Sequence, residues 1–207
     1  QKARQPEKNP KRLFSWRRGG LAPAAKQGEV NHLDKDLQSI QETRELLQQA
    51  RKAQGILACM SQGQLDKITA AISTAAAEHA KRLADMAVEE TGFGRKADKE
   101  LKNRFAALTL YDAIKDEKTH GILAENPEKR VIDIGVPVGI VAGLVPSTNP
   151  TSTVIYKSMI CMKAGNPIIF YPPPSAVNCI LETVNVVRRA AESAGAPGGR
   201  NSCKSPP

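Results

Sequence analysis

Two short apolar runs constrain the fold of this chain more than any other feature of its sequence. Residues 140–145 read Ile-Val-Ala-Gly-Leu-Val, and residues 168–170 read Ile-Ile-Phe. Continuous apolar runs of this length are typical of parallel strands that are buried on both faces. Because a helix-compatible segment follows each run after a short connection, residues 140–194 predict an α/β fold. Only two such units are present, so we expect an incomplete parallel sheet.

The two helices of these units have recognisable starts. Thr151 or Ser152 could cap the first helix, which we expect to end near Ala164. Ser175 could cap the second helix, which we expect to reach about Ala194. The sequence therefore places a helix N-terminus directly after each strand-to-helix loop.

Three amphipathic helices are predicted ahead of the strands, over about residues 34–58, 62–90 and 97–115. Ser61 has the side chain of a good N-cap for the second helix. Gly92 suits the left-handed position that follows a helix C-terminus. The first part of the chain after residue 33 is therefore expected to be helical.

The segment from residue 89 to residue 134 combines charged helix faces with a strand. The Lys and Glu side chains at 89–104 are expected to form solvated helix faces. The apolar positions of the third helix are expected to face inward: Leu101, Phe105, Leu108 and Ile114. After Gly121 the apolar period shifts towards two, and residues 131–134 therefore predict a strand.

The net charge of +9 is concentrated at the two ends of the chain. Residues 1–30 carry a net charge of +6 and residues 198–207 carry +2, which leaves +1 for residues 31–197. We interpret residues 1–33 as a disordered basic tail, with translated upstream sequence as an alternative. Residues 198–207 predict an irregular tail at a truncation or a frameshift. A nearly neutral body disfavours nucleic-acid binding, which ranks last among the functions considered.

The cysteines and the hydropathy indicate a protein of the reducing cytoplasm. The four cysteines show no CxxC pair and no regular spacing, so neither a zinc site nor a disulfide framework is predicted. Cys59, Cys161 and Cys179 have apolar neighbours and are expected to be free thiols. No apolar run approaches the length of a membrane span, and residues 1–30 lack the apolar core of a secretory signal.

The loop from Pro146 to Pro150 is the candidate site, because it joins a predicted parallel strand to a helix N-terminus. Ligands of open α/β sheets bind at this end of the strands. Asn149 has two interpretations: a turn and capping residue, or a side-chain N–H donor to an oxyanion. Composition alone favours the first.

The sequence resembles CoA-acylating aldehyde dehydrogenases over about residues 34–197. The similarity is carried by GVPVGIVAGLVPSTNPTSTVIYKSMICMKAGNPIIF, and it extends back through KNRFAALTLYDAIKDEKTHGIL and MAVEETGFG. The motif PSTNPTST is specific to the acylating branch, since hydrolytic relatives carry Trp where this chain has Thr148. The fold implied by the resemblance is a set of N-terminal helices followed by an incomplete Rossmann-like parallel sheet.

The resemblance also implies roles for the loop residues. Asn149 would donate its amide N–H to the thiohemiacetal oxyanion. The residues beside the nicotinamide of NAD would be Ser147, Thr148, Pro150 and Thr151. Pro172 and Ser175 would lie near the adenosine, in a loop where relatives carry Ser-Pro-His-Pro. Tyr171 and Pro173 replace the Ser and His of that pattern, which removes two hydrogen-bonding groups.

The family reaction converts an aldehyde, CoA and NAD into acyl-CoA and NADH through a cysteine thiolate. The position of that nucleophile lies beyond residue 207, so we expect a truncated N-terminal portion with little activity of its own. An alternative is a non-catalytic nucleotide-binding or assembly fragment. It would pair with family subunits through residues 118–136, which resemble the family's oligomerisation hairpin. The resemblance implies a cytoplasmic location, with a bacterial microcompartment as a further option.

Overall fold

The computed structural model describes residues 35–198 and 201–203. The predicted basic tail, residues 1–33, lies outside the described residues. The helices are α1 (Lys35–Leu57), α2 (Gln62–Glu78), α3 (Ala80–Thr91), α4 (Lys96–Arg104), α5 (Leu110–Ile114), α6 (Pro150–Lys163) and α7 (Val177–Ser193). The strands are β1 (Gly121–Asn126), β2 (Val131–Gly135), β3 (Val141–Leu144), β4 (Ile168–Tyr171) and β5 (Asn201–Cys203). No helix in these described stretches is long and apolar enough to cross a membrane.

The predicted boundaries of α2 and α3 are confirmed at their outer ends. Ser61 accepts a hydrogen bond from the Gln64 amide, and the Gln64 side chain binds the Ser61 amide, which completes a capping box. Gly92 ends α3 in the left-handed conformation, with φ 69°. The single helix predicted over 62–90 is instead divided at His79, whose ring Nδ1 lies 3.0 Å from the Ala75 carbonyl oxygen.

The third predicted helix is present, and Ile114 packs against the core as predicted, but the other three side chains predicted to face inward are exposed. A π-helical turn, Phe105–Thr109, separates α4 from α5. Leu101 and Phe105 are 69% and 63% exposed, and Leu108 is also exposed. The inward face carries polar and small side chains instead: Lys99, Asn103, Ala106 and Ala107. Lys99 and Asn103 of this inward face make hydrogen bonds to other elements, which hold the face in place.

Strands β1 and β2 form an antiparallel hairpin of their own, which confirms the strand predicted at 131–134. Several of its apolar side chains, and two just after it, are exposed: Ile122, Leu123, Val131, Ile132, Ile134, Val136 and Val138. The hairpin therefore leaves an apolar surface open in this chain.

The parallel sheet has the order β3-β4-β5, which confirms the predicted α/β pattern. The two crossovers run in the same direction along the sheet, so α6 and α7 cover the same face. One core cluster joins β4 to these helices through Ile168, Phe170, Val154, Cys179 and Ile180.

Two features of this sheet differ from the prediction. Strand β3 was predicted to be buried on both faces, but Leu144 is 69% exposed, because both crossover helices lie on the other side. Residues 198–207 were predicted to be irregular, whereas Asn201–Cys203 form β5 in parallel register with β4. The free N–H and C=O groups of the β4 edge accept a strand without requiring apolar side chains.

Candidate functional site

The candidate site lies where β3 and β4 end. Leu144 and Tyr171 are paired in the parallel register, and the Val145 amide donates to the Tyr171 carbonyl oxygen over 3.3 Å. The two strand-to-helix loops therefore leave the same edge of the sheet, which is where open α/β sheets bind ligands. The predicted site residues are distributed between the 146–149 loop, the 172–176 loop and the first turn of α6.

Asn149 immediately precedes helix α6, which begins at Pro150. Proline suits this first helical position, since the missing N–H would have no partner there and the fixed φ matches the helix. The prediction that Thr151 or Ser152 caps α6 is wrong, because Asn149 occupies the N-cap position. The Asn149 side chain makes no capping hydrogen bond, so its amide is available for another partner.

Lys102 determines which way the Asn149 amide points. Its Nζ donates to Asn149 Oδ1 over 3.0 Å. An ammonium group can only donate, so the amide oxygen faces Lys102 and the amide nitrogen faces elsewhere. Within the described part of the chain, Nδ2 of Asn149 has no acceptor. The free group at the end of the loop is therefore an N–H donor.

A buried chain of hydrogen bonds anchors the start of α6 to α3 and α4. The Thr151 hydroxyl donates to Asn103 Oδ1 over 2.8 Å, and Asn103 Nδ2 donates to the Ala80 carbonyl oxygen over 3.0 Å. Thr151 and Asn103 are each 1% exposed. Thr151 was assigned to the cofactor loop by resemblance, and in this structure its hydroxyl is engaged with Asn103. Pro150 is also buried, whereas Ser147 is half-buried and Thr148 is exposed.

Lys99 holds the loop from the α4 side by donating to the Thr148 carbonyl oxygen. Burial lowers the pKa of Lys99, and the positive charge of Lys102 lowers it further. Between these two lysines and the loop lies a cavity of about 280 Å³. Its other lining residues are Phe93, Gly94, Arg95, Asp98, Thr148 and Asn149. The loop that carries Asn149 is thus bordered by cationic side chains.

The 172–176 loop is built differently. Pro172 is buried and Ser175 is exposed. The prediction that Ser175 caps the following helix is wrong, because Ser175 lies inside a 3₁₀ turn, Pro174–Ala176, that precedes α7.

Glu90 of α3 caps α7 instead of Ser175. Its Oε1 accepts from the Asn178 amide over 2.8 Å, and its Oε2 accepts from the Cys179 amide over 2.7 Å. Burial raises the pKa of Glu90, but these hydrogen bonds outweigh it and hold the pKa below its usual value. A carboxylate from the chain itself thus occupies the N-terminus of α7.

The buried cysteines of the described chain have the properties of core residues. Burial raises the pKa of Cys161 to about 11. Burial, assisted by Glu90, raises the pKa of Cys179 to about 12. A thiol with such a pKa is almost entirely protonated at neutral pH and is a poor nucleophile. Cys59 is exposed but belongs to the end of the α1 region, away from both loops in sequence and element order.

Sequence reasoning missed the residues that hold the loops, since it assigned the charges of residues 89–104 to solvated faces. Lys99 and Lys102 bind groups of the 146–149 loop, and Glu90 binds the first amides of α7, which follows the second loop. One signal was present: Lys99 and Asn103 are four residues apart and therefore share a helix face.

The comparisons with known proteins identify the family of this chain. The sequence model described as "Aldehyde dehydrogenase family" matches residues 25–200.

The chain belongs to the aldehyde dehydrogenase family.

Its similar relatives include CoA-acylating members. The bifunctional aldehyde-alcohol dehydrogenase AdhE of Escherichia coli K12 is 45% identical over 159 residues, which is 77% of this chain and 18% of that protein. The crystal structure of an acetylating aldehyde dehydrogenase from Geobacillus thermoglucosidasius has a TM-score of 0.82 and 55% identity, covering 84% of this chain and 39% of that one. This chain therefore spans well under half the length of these relatives.

A more distant structure carries a nicotinamide nucleotide. An engineered glycolyl-CoA reductase with bound NADP⁺ has a TM-score of 0.62 and 26% identity, covering 77% of this chain and 36% of that one. The predicted family and fold are confirmed by these comparisons.

Proposed function

We propose that residues 34–197 supply the oxyanion-binding and cofactor-facing part of an NAD-dependent, CoA-acylating aldehyde dehydrogenase. The observation that carries this proposal is the orientation of the Asn149 amide, whose oxygen is held by Lys102. The free Nδ2 donor sits at the carboxyl edge of a parallel sheet, beside a helix N-terminus and two lysines. An oriented donor of this kind can stabilise an oxyanion by about 3–4 kcal/mol.

In this proposal the protein's own groups position and stabilise, and the bound nicotinamide supplies the hydride acceptor. Asn149 Nδ2 donates to the aldehyde oxygen as negative charge develops on it. Ser147 and Thr148 form the accessible wall beside the nicotinamide, with Pro150 and Thr151 fixing the loop behind them. Pro172 and Ser175 lie beside the adenosine.

An apolar cavity next to Asn149 suits the hydrocarbon part of an aldehyde. Its volume is about 520 Å³, and it is lined by Leu101, Lys102, Phe105, Ala106, Leu110, Ser152 and Tyr156. Lys102 belongs to the walls of both cavities. An aldehyde whose chain fills the apolar cavity would thus bring its carbonyl group towards the Asn149 side.

The nucleophile of the reaction is not one of the three cysteines whose side chains the structure describes. Cys161 and Cys179 are buried and protonated, and Cys59 lies outside the loops. We therefore expect the purified 207-residue chain to produce no NADH from acetaldehyde, NAD⁺ and CoA in an absorbance assay. A CoA-dependent rate well above a no-enzyme blank would contradict this assignment.

Cofactor binding is measured separately, by isothermal titration calorimetry of the chain with NAD⁺ and NADP⁺. We expect saturable binding of NAD⁺ that weakens in the double variant Ser147→Ala, Thr148→Ala. Thr74→Ala is the matched control, because Thr74 is exposed on α2 and bonds only its own helix. Equal affinities of the loop variant and the control would remove Ser147 and Thr148 from the cofactor site.

A second candidate function is assembly with like subunits, which the exposed apolar hairpin favours. Val131, Ile132 and Ile134 are each about half exposed on β2. Light scattering after size exclusion should show an oligomer that Ile132→Asp converts to a smaller species. Leu37→Asp on α1 is the control for loss of an exposed apolar group.

The free cysteines accord with a cytoplasmic location, which we include in the proposal.

A further inference from the structure

Two lysines at the Asn149 cavity form no ion pair with a carboxylate of the described residues. Among the ion pairs of the described residues, neither Lys99 nor Lys102 has a carboxylate partner. Arg95 is the third cation that lines the cavity, and Asp98 is the acidic residue of the lining. Arg95 donates two hydrogen bonds, of 2.8 and 3.1 Å, to the Asp98 carboxylate. Asp98 also attracts Lys102 through space, but three cations and one carboxylate line the cavity, which leaves the lining with a net charge of +2.

Another buried lysine of this molecule, Lys163, has a carboxylate partner for its charge. Lys163 is 2% exposed, and its Nζ lies 2.7 Å from a carboxylate oxygen of Asp66. Lys99 is 5% exposed, yet its acceptor is the uncharged Thr148 carbonyl oxygen. Burying a charge is costly unless the charge is paired, so the arrangement around Lys99 is incomplete without a negative group.

The neighbouring Lys102 increases this imbalance. Its charge and the burial of Lys99 both lower the pKa of Lys99, so each disfavours the ammonium form. A negative group between the two lysines would offset both effects, because an opposite charge favours the ammonium form. The cavity has the space for one, at about 280 Å³, and opens beside the Asn149 amide.

We propose that this cavity binds an oxyanion group, a carboxylate, sulfonate or phosphate, through Lys99 and Lys102. The group can come from the acidic end of an aldehyde substrate or from a phosphate of a cofactor. The site is distinct from the N–H donor of Asn149, although one ligand could reach both. Binding is measured directly, so its outcome is separate from that of the proposed reaction.

The test is isothermal titration calorimetry of the full chain at low ionic strength with succinate and with inorganic pyrophosphate as probes. We expect saturable binding of at least one probe, weakened about tenfold in Lys102→Met and in Lys99→Met. Raising NaCl from about 50 mM to about 500 mM should weaken the binding as well, because salt screens charges. Lys52→Met on α1 is the control, because it also removes one exposed lysine. The basic residues 1–30 are present in every variant, so their charge contributes equally to each titration.

The two probes distinguish the two sources of the oxyanion. Preference for succinate supports an acidic substrate, and preference for pyrophosphate supports a cofactor phosphate. Absence of saturable binding by both probes overturns the proposal, as does equal affinity in Lys102→Met and Lys52→Met. Lys102 is exposed and makes one side-chain hydrogen bond, so its replacement leaves this test valid even if Lys99→Met unfolds the chain.

Discussion

The two strand-to-helix turns at the edge of the sheet have the same topology and opposite electrostatics. The turn before α6 is bordered by Lys99 and Lys102, which bind Thr148 and Asn149. The turn before α7 is closed by Glu90, whose carboxylate binds the first amides of the helix. The first turn therefore presents positive charge to a ligand, whereas the second satisfies its positive helix end from within the protein.

This difference indicates which turn is available to an anion. A helix N-terminus attracts negative groups through its free N–H donors and its dipole. At α7 these donors already face Glu90, so an external phosphate would compete with a bound carboxylate. At α6 the side-chain Nδ2 of Asn149 has no acceptor in the described chain, and neither Lys99 nor Lys102 forms an ion pair there. We therefore expect a negatively charged ligand to bind at the first turn rather than at the second.

The largest effect is expected when the anchor of the first turn is removed by Asn103→Ala. The substitution leaves the buried Thr151 hydroxyl without its acceptor and removes the hydrogen bond to the Ala80 carbonyl oxygen, which should cost about 2–3 kcal/mol of unfolding free energy. Urea denaturation measures this loss. Asn185→Ala is the control, because Asn185 bonds only to the neighbouring Arg188 and should change stability by less than about 0.5 kcal/mol. Similar losses in both variants would show that the buried chain does not anchor α6.

The second turn is weakened by Glu90→Gln, which removes the charge from the cap of α7. We expect a loss of about 1–2 kcal/mol at neutral pH, as for the removal of a good helix cap. The control Glu89→Gln removes an exposed ion pair with Lys96 and should cost about 0.5 kcal/mol or less.

The pH dependence of this loss has a defined sign. The pKa of Glu90 is lowered in the folded chain from its ordinary value of 4.5. The stabilisation is therefore present above 4.5 and is lost as the pH falls through the lowered pKa. The melting temperatures of the unmodified chain and of Glu90→Gln should therefore converge as the pH falls below 4.5. A difference in melting temperature that stays constant in acid would contradict the role of the Glu90 charge.

A smaller effect is expected at Cys179, which lies in the first turn of α7. A helix N-terminus normally lowers the pKa of a thiol, but burial and then Glu90 raise the pKa of Cys179 to about 12. Glu90→Gln should therefore accelerate alkylation of Cys179 by iodoacetamide several-fold, by less than about tenfold, since burial remains. Peptide mass spectrometry follows the reaction, with Cys161 as the internal control. Parallel acceleration at Cys161 would indicate general loosening rather than loss of the carboxylate.

The parts of this comparison that the sequence predicts are those with a local pattern. The strands near residues 141 and 168, the capping residue Ser61 and the left-handed Gly92 follow from neighbouring residues and are confirmed. Resemblance directed attention to Asn149, and the structure gives its amide a defined orientation.

The parts that the sequence does not predict depend on partners distant along the chain. Glu90 contacts a residue 89 positions later, and Lys102 contacts one 47 positions later, so no local period distinguishes them from solvated charges. Leu101 and Phe105 are exposed, although their local spacing predicted that they face inward. Their apolar spacing carries no information about the tertiary hydrogen bonds of Lys99 and Asn103.

The smallest effect on stability is expected for Lys102→Met. A small loss of stability would indicate that Lys102 serves ligand binding rather than the fold. Lys102 is exposed and makes one side-chain hydrogen bond, so its loss should change the unfolding free energy by less than about 0.5 kcal/mol. Lys163→Met, which leaves the Asp66 carboxylate without its buried partner, is the contrasting variant. Urea denaturation compares the two. If Lys102→Met is as destabilising as Lys163→Met, then Lys102 holds the fold together, and its position beside Asn149 no longer needs a ligand to explain it.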